Sequence, residues 1–148
     1  MPVAALIMGY GGLIPFVILS LCLVAGIGIV GFDLARTGQL LMSYAAIILS
    51  FIGAVHWGVA LAHHDSMPTS LLHRFYGYSV LPAICAWVSL LLPTQVGLIV
   101  ISVLFWLAFW VDHALLFERL NVNYGTFRLH LTFIVSSALA LAGVFGTH

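Results

Sequence analysis

The chain has no lysine, and its only formal charges are four Arg and four acidic residues among 148 positions. A soluble domain devotes about a quarter of its residues to charge; here charged residues make up 5% and hydrophobic ones 64%. That leaves too little polar surface to meet water, which excludes an ordinary soluble fold. Formal charge is zero, with no basic run, so the electrostatic footprint for nucleic acid or anionic headgroups is missing and no nucleic-acid partner is expected. Also absent are a His-Glu zinc pattern, a glycine-rich phosphate loop, a cysteine-pair motif and a nucleophile–base pair. No catalytic residue, metal site or cofactor is therefore assigned, and the balance leans away from an enzyme. Cys22 and Cys85 fall within apolar runs, where Cys acts as a small hydrophobe. The start, Met1-Pro2-Val3-Ala4-Ala5, lacks the cationic opening of a secretory signal. The first apolar run is long enough to span, so it reads as a retained helix.

What the chain does have is apolar length. One helical crossing takes about 20 residues, which fits five spans near 13–30, 40–62, 75–92, 96–117 and 129–145. A barrel would need alternating ten-residue segments, and the runs here are unbroken. The expectation is an all-α integral membrane bundle of five transmembrane helices in a single domain, with the lipid bilayer as its surroundings. Gly31 to Gln39 reads as a polar turn, His63 to Pro68 as a helix end, Pro93-Thr94-Gln95 as a hairpin and Glu118 to Arg128 as the last loop. Pro15 sits in a first turn, and Pro82 falls inside the third span, where a kink is expected. Arg74, Arg119 and Arg128 share one side and Arg36 lies on the other. The positive-inside rule then puts the N-terminus inside and the C-terminus outside.

In lipid, helices associate through close packing of small residues. Ala46, Ser50, Ala54, Gly58 and Ala62 recur every four residues in the second span, which predicts a central packing face. The same pattern would also suit a homodimer seam. Aromatics crowd the fourth span: Phe105, Phe109 and Asp112 share one helical face, while Trp106, Trp110 and His113 share the next. With Trp57, the residues Trp106 and Trp110 read either as an interfacial belt or as the wall of a ligand site.

Topology gathers His56, His63, His64, His73, Asp112, His113 and His130 toward one leaflet, with Arg74 and Arg128 beside them. Ionisable groups within hydrocarbon are costly unless partnered. His56 lies about 9 Å, and Asp112 about 7.5 Å, inside their helix ends at ~1.5 Å per residue, so the two can meet. The candidate polar cluster is His56, Asp112, His113, Arg128 and His130. Four readings compete: a satisfied polar lock joining three helices, a ligand or quinone-headgroup site, metal or haem ligation by His, and catalysis or proton relay. The lock leads.

Tyr10-Gly11-Gly12-Leu13-Ile14-Pro15-Phe16 and the block from Tyr44 through His56-Trp57-Gly58, with Ser79-Val80-Leu81-Pro82 and Trp87, carry a resemblance. Together they resemble a small bacterial multi-pass membrane family of unknown function that includes the mitochondrial transmembrane protein 69. The resemblance implies a compact multi-pass protein of the bacterial inner membrane or its mitochondrial descendant, which in the bacterial case puts the N-terminus in the cytoplasm and the C-terminus in the periplasm. Where members of such a family carry Arg at the position of His56, that position wants a polar or cationic group more than a metal ligand. The five-helix layout is also similar, in architecture alone, to the tryptophan-rich sensory and translocator proteins that bind tetrapyrroles. The functional expectation is a non-enzymatic structural or accessory factor of a larger membrane complex. The alternative is a carrier or receptor for a hydrophobic ligand such as quinone or tetrapyrrole.

Overall fold

A computed structural model of the protein describes residues 3–29, 31–116 and 122–146. Met1, Pro2, Val30, Phe117, Glu118 and Arg119, which enter the sequence reading, lie outside these. The described residues form six helical segments: α1 (Val3–Gly11), α2 (Ile14–Val24), α3 (Leu34–Ala62), α4 (Thr69–Ser89), α5 (Thr94–Leu115) and α6 (Val122–Phe145). Among them are no strands. The fold is all-α, as composition required. Four stretches are long and apolar enough to cross a membrane: Val3–Val24, Leu34–Ala62, Thr94–Leu115 and Tyr124–Phe145. α4 falls outside that set because Ser70, His73, Arg74 and Ser79 dilute its apolar character.

Several boundaries differ from the sequence expectation. The first helical run begins at Val3 rather than near residue 13, and is interrupted at Gly12-Leu13. Pro15 stands in the first turn of α2 and brings no N–H, so backbone acceptors at the break need other donors. Tyr44 Oη supplies one, donating to the Gly12 carbonyl at 3.0 Å. The run ends at a Schellman motif: Ile27 N–H donates to Cys22 O at 2.9 Å and Gly26 N–H to Leu23 O at 3.2 Å. That motif requires a left-handed residue, supplied by Gly26 with φ 68°.

The stretch read as a polar turn is largely the first turns of α3. Asp33 caps it, accepting from Arg36 N–H at 2.7 Å, which satisfies an otherwise orphaned donor. Thr37, fully buried, donates to Asp33 O at 2.8 Å and accepts from Ile29 N–H at 3.1 Å. Likewise Gly125 to Arg128, read as loop, belong to α6.

The packing face of α3 also needs correction. Ala46 is buried and Ser50 partly so, but Ala54, Gly58 and Ala62 are exposed. A period of four advances about 400° per step on a 3.6-residue helix, so the stripe drifts about 160° from Ala46 to Ala62. The buried residues instead mix steps of three and four: Met42, Ala45, Leu49, Gly53, His56 and Ala60. Gly53 is the point of closest approach, since a Cβ there would stand 2.6 Å from the Ser79 carbonyl oxygen and 3.0 Å from Pro82 Cγ. Gly97 and Gly143 make the corresponding contacts for α5 and α6. Added Cβ atoms would meet Ser89 O at 2.9 Å and Ile99 Cγ1 at 2.8 Å respectively. A larger core cluster fills the centre around Phe16, Leu41, Leu49, Leu98, Phe105 and Leu139. A smaller one lies at the His-rich end, with Ala60, Met67, Leu72, Phe75 and Leu116.

These contacts separate two glycines five residues apart. Gly53→Val should destabilise the detergent-purified protein by at least the roughly 1–3 kcal/mol typical of overpacking. Gly58→Leu, with nothing within 4 Å of its Cβ position, should leave the thermal midpoint unchanged. Melting curves of the two variants beside the parent check the assignment; equal losses would contradict it.

Candidate functional site

Three helices converge at the His-rich end. α3 contributes His56, α5 contributes Asp112 and α6 contributes Arg128, with exposures of 0%, 1% and 5%. Arg128 Nε donates to Asp112 Oδ2 at 2.7 Å, a charge-assisted bond between two fully sequestered groups. Its Nη1 donates to Thr132 Oγ1 at 2.9 Å, one helical turn further on and also buried. His56 Nε2 stands 3.5 Å from Asp112 Oδ1 but closes no hydrogen bond with it. The imidazole is held instead by rings, edge-on to Tyr78 at 4.6 Å and tilted against Phe75 at 5.5 Å.

Hydrogen-bonding capacity is left over. Asp112 Oδ1, Arg128 Nη2, Tyr78 Oη and both His56 ring nitrogens are buried without a hydrogen-bond partner. Unpartnered buried polar atoms are uncommon, and this cluster concentrates spare hydrogen-bonding capacity at one place in the bundle.

The other expected residues are placed differently. His130 and His113 are exposed, so neither joins the buried cluster, although His113 stands beside Trp110 at 6.3 Å between ring centroids. His63, His64 and His73 are exposed as well. Among the described residues no group of three His, Cys, Asp or Glu is placed to hold a metal ion. Of the proposed aromatic wall, Trp57 and Trp110 are exposed and Trp106 half-buried. None lines a cavity next to the ion pair. The face that turns inward on α5 is the neighbouring one, with Phe105, Phe109 and Asp112 all buried.

A cleft of about 450 Å³ does lie beside the pair, bounded by α1, α2, α3, α5 and α6. Phe16, Phe51, Phe105 and Phe127 supply its apolar surface, and Asp112, Arg128 and Tyr124 its polar end. Phe105 and Asp112 are seven residues apart on α5, about 10 Å along the axis. The cleft is therefore amphipathic along its length. Sequence reasoning missed Thr132, Tyr78, Tyr124 and the Phe lining. Thr132 was discoverable, since i and i+4 residues share a helix face. The Phe set was not, because it comes from four separate helices.

Removing one member of a buried ion pair leaves the other charge stranded, at a cost of about 3–5 kcal/mol. Asp112→Asn and Arg128→Gln should each lower the thermal midpoint, with the double variant losing less than the sum of the two. His56→Leu removes two unpartnered polar atoms at similar volume, so stability should hold or rise. Strict additivity in the first cycle, or a large loss from His56→Leu, would contradict this bonding pattern.

Residues 1–144 match the family described as Protein of unknown function (DUF3429). A relative from Xenopus tropicalis, Transmembrane protein 69, is 33% identical over 90 residues, which is 61% of this chain and 33% of that protein. The chain thus spans about a third of the length of the curated relative it matches. No solved structure matches it. The aligned residues include nearly all of the helical bundle just described, and on that match the chain belongs to this multi-pass membrane family of unknown function.

Proposed function

We propose that this protein is a five-span membrane carrier or receptor for a hydrophobic ligand, held in the cleft between α1, α2, α3, α5 and α6. The observation that carries the reading is the cleft itself, at about 450 Å³. Small-molecule sites run to about 300–1,000 Å³, mostly apolar with a few convergent polar groups. The Phe-lined cleft ending at Asp112 and Arg128 has that composition. An accessory role in a larger complex rested on the absence of recognisable chemistry. A shaped cavity is a positive feature, and it moves ligand binding ahead.

Five crossings follow if α4 is counted with the four longer spans. Its 21 residues reach about 31 Å as helix, close to the hydrocarbon thickness. α4 packs against both α3 and α5, as a membrane-embedded member of the bundle would. With Arg128 neutralised inside the bundle, Arg74 and Arg119 against Arg36 still favour a cytoplasmic N-terminal side, and the bacterial inner membrane is the location the family resemblance implies. Reporter fusions ahead of Val3 and after Gly146 are expected in opposite compartments; finding both on one side would rule out an odd number of crossings.

Ligand carriage is checked by purifying the protein in mild detergent and extracting it for mass spectrometry. A hydrophobic small molecule should be enriched over the bulk lipid extract, and Val55→Trp, which fills the cleft from α3, should lose it. Identical extracts from parent and variant would overturn the proposal.

A further inference from the structure

The polar end of the cleft carries enough detail to specify the head group it would take; this step rests on the ligand reading above. The formal charges of Asp112 and Arg128 cancel across their 2.7 Å bond. A third charge brought to that point would sit without a counter-ion in a region of low dielectric. The matching head is therefore uncharged.

Hydrogen-bond capacity narrows it further. Arg128 uses Nε on Asp112 Oδ2 and Nη1 on Thr132. The atoms left without a partner are a donor nitrogen, Arg128 Nη2, and an acceptor oxygen, Asp112 Oδ1, both buried on residues that line the cleft. A ketone or ether oxygen accepts only, and would serve Arg128 while leaving Asp112 Oδ1 unsatisfied. A hydroxyl donates and accepts through one small atom, and so serves both. Beyond the pair, the walls are the rings of Phe16, Phe51, Phe105 and Phe127. Such walls favour a flat aromatic body in offset or edge-on contact.

We infer that the cleft binds an uncharged phenol or hydroquinone bearing an apolar tail, its hydroxyl donating to Asp112 Oδ1 and accepting from Arg128 Nη2. The ring lies among the phenylalanines and the tail runs along α5 away from the pair. Quinols of the membrane and phenolic lipids share this chemistry, and differ in whether the ring carries a second hydroxyl.

The test uses the full chain in nanodiscs and a matched probe series: 4-octylphenol, octylhydroquinone, 4-octylanisole, decanoate and decylammonium. Binding is read by native mass spectrometry and by titration calorimetry. The phenol should bind about tenfold or more tightly than its methyl ether, since the ether leaves a buried acceptor unpaired. A preference for octylhydroquinone over octylphenol would indicate the quinol source, and the reverse a phenolic lipid; both support the inference. Neither charged probe should compete.

Equal affinity for phenol and ether would overturn the head-group inference while leaving the cleft as a ligand site. So would tighter binding of decanoate, which would require an imidazolium at His56 beside Asp112. No binding by any probe would remove both readings. So would binding that survives Val55→Trp, or Met8→Trp from the exposed α1 side of the cleft should the first variant fail to fold.

Discussion

A carboxylate and a guanidinium bonded inside a helical bundle fix how the rest of this chain is arranged. Asp112 and Arg128 come from α5 and α6, and neither could stay charged in hydrocarbon without the other. The bond ties the start of α6 to the end of α5 in one register, and Thr132 anchors the guanidinium in a second direction. Ser102 adds an uncharged link between the same helices deeper in the bundle, donating to Ser136 O at 2.9 Å. Phe105 and Asp112 then face one cleft at fixed separation, which makes its surface polar at one end and apolar along the rest. His56 stands beside this arrangement rather than within it, close to Asp112 and held by aromatic edges.

The remaining architecture follows from lipid as the surrounding medium. Acyl chains are as apolar as leucine, so burial from water cannot drive these helices together. Contact is instead made by removing atoms. Gly53 lets α3 lie on the carbonyl of Ser79 beside Pro82, Gly97 admits α5 beside Ser89, and Gly143 admits α6 beside Ile99. Where the chain breaks its own ladder, at Gly12, a hydroxyl from α3 takes over the carbonyl. Exposed leucines, valines and tryptophans cover the outside, as expected where the solvent is itself apolar.

Much of this was legible from residues alone. Scarce charge pointed to the membrane, and unbroken apolar runs in place of alternating segments pointed to helices. A constant rise per residue placed His56 and Asp112 at matching depths, and Arg128 was the nearest available cation. Other parts were hidden for definite reasons. A period of four looked like a packing face, but it winds around a helix of 3.6 residues per turn; Gly53, one position off that stripe, held the contact. Trp57 and Trp110 face outward while Phe16 and Phe105 are buried, since an indole N–H finds no partner in an apolar core. The cleft could not be read at all. Its walls come from five segments, one of which, α1, was taken as preceding the first span.

On the proposed ligand reading, the break between α1 and α2 bears on how a guest would reach that cleft. α1 has no buried residue, and Tyr10 meets Phe127 edge to face across the opening at 5.4 Å. Tyr44 fastens the joint to α3, while the short helix beyond it rests on α6 through Gly9 and Tyr10 against the Phe127 ring. An element with so little interior contact is the least costly part of such a fold to displace. Swinging it aside would open a lateral window toward the acyl chains, so passage would run sideways through the plane of the bilayer and never through water.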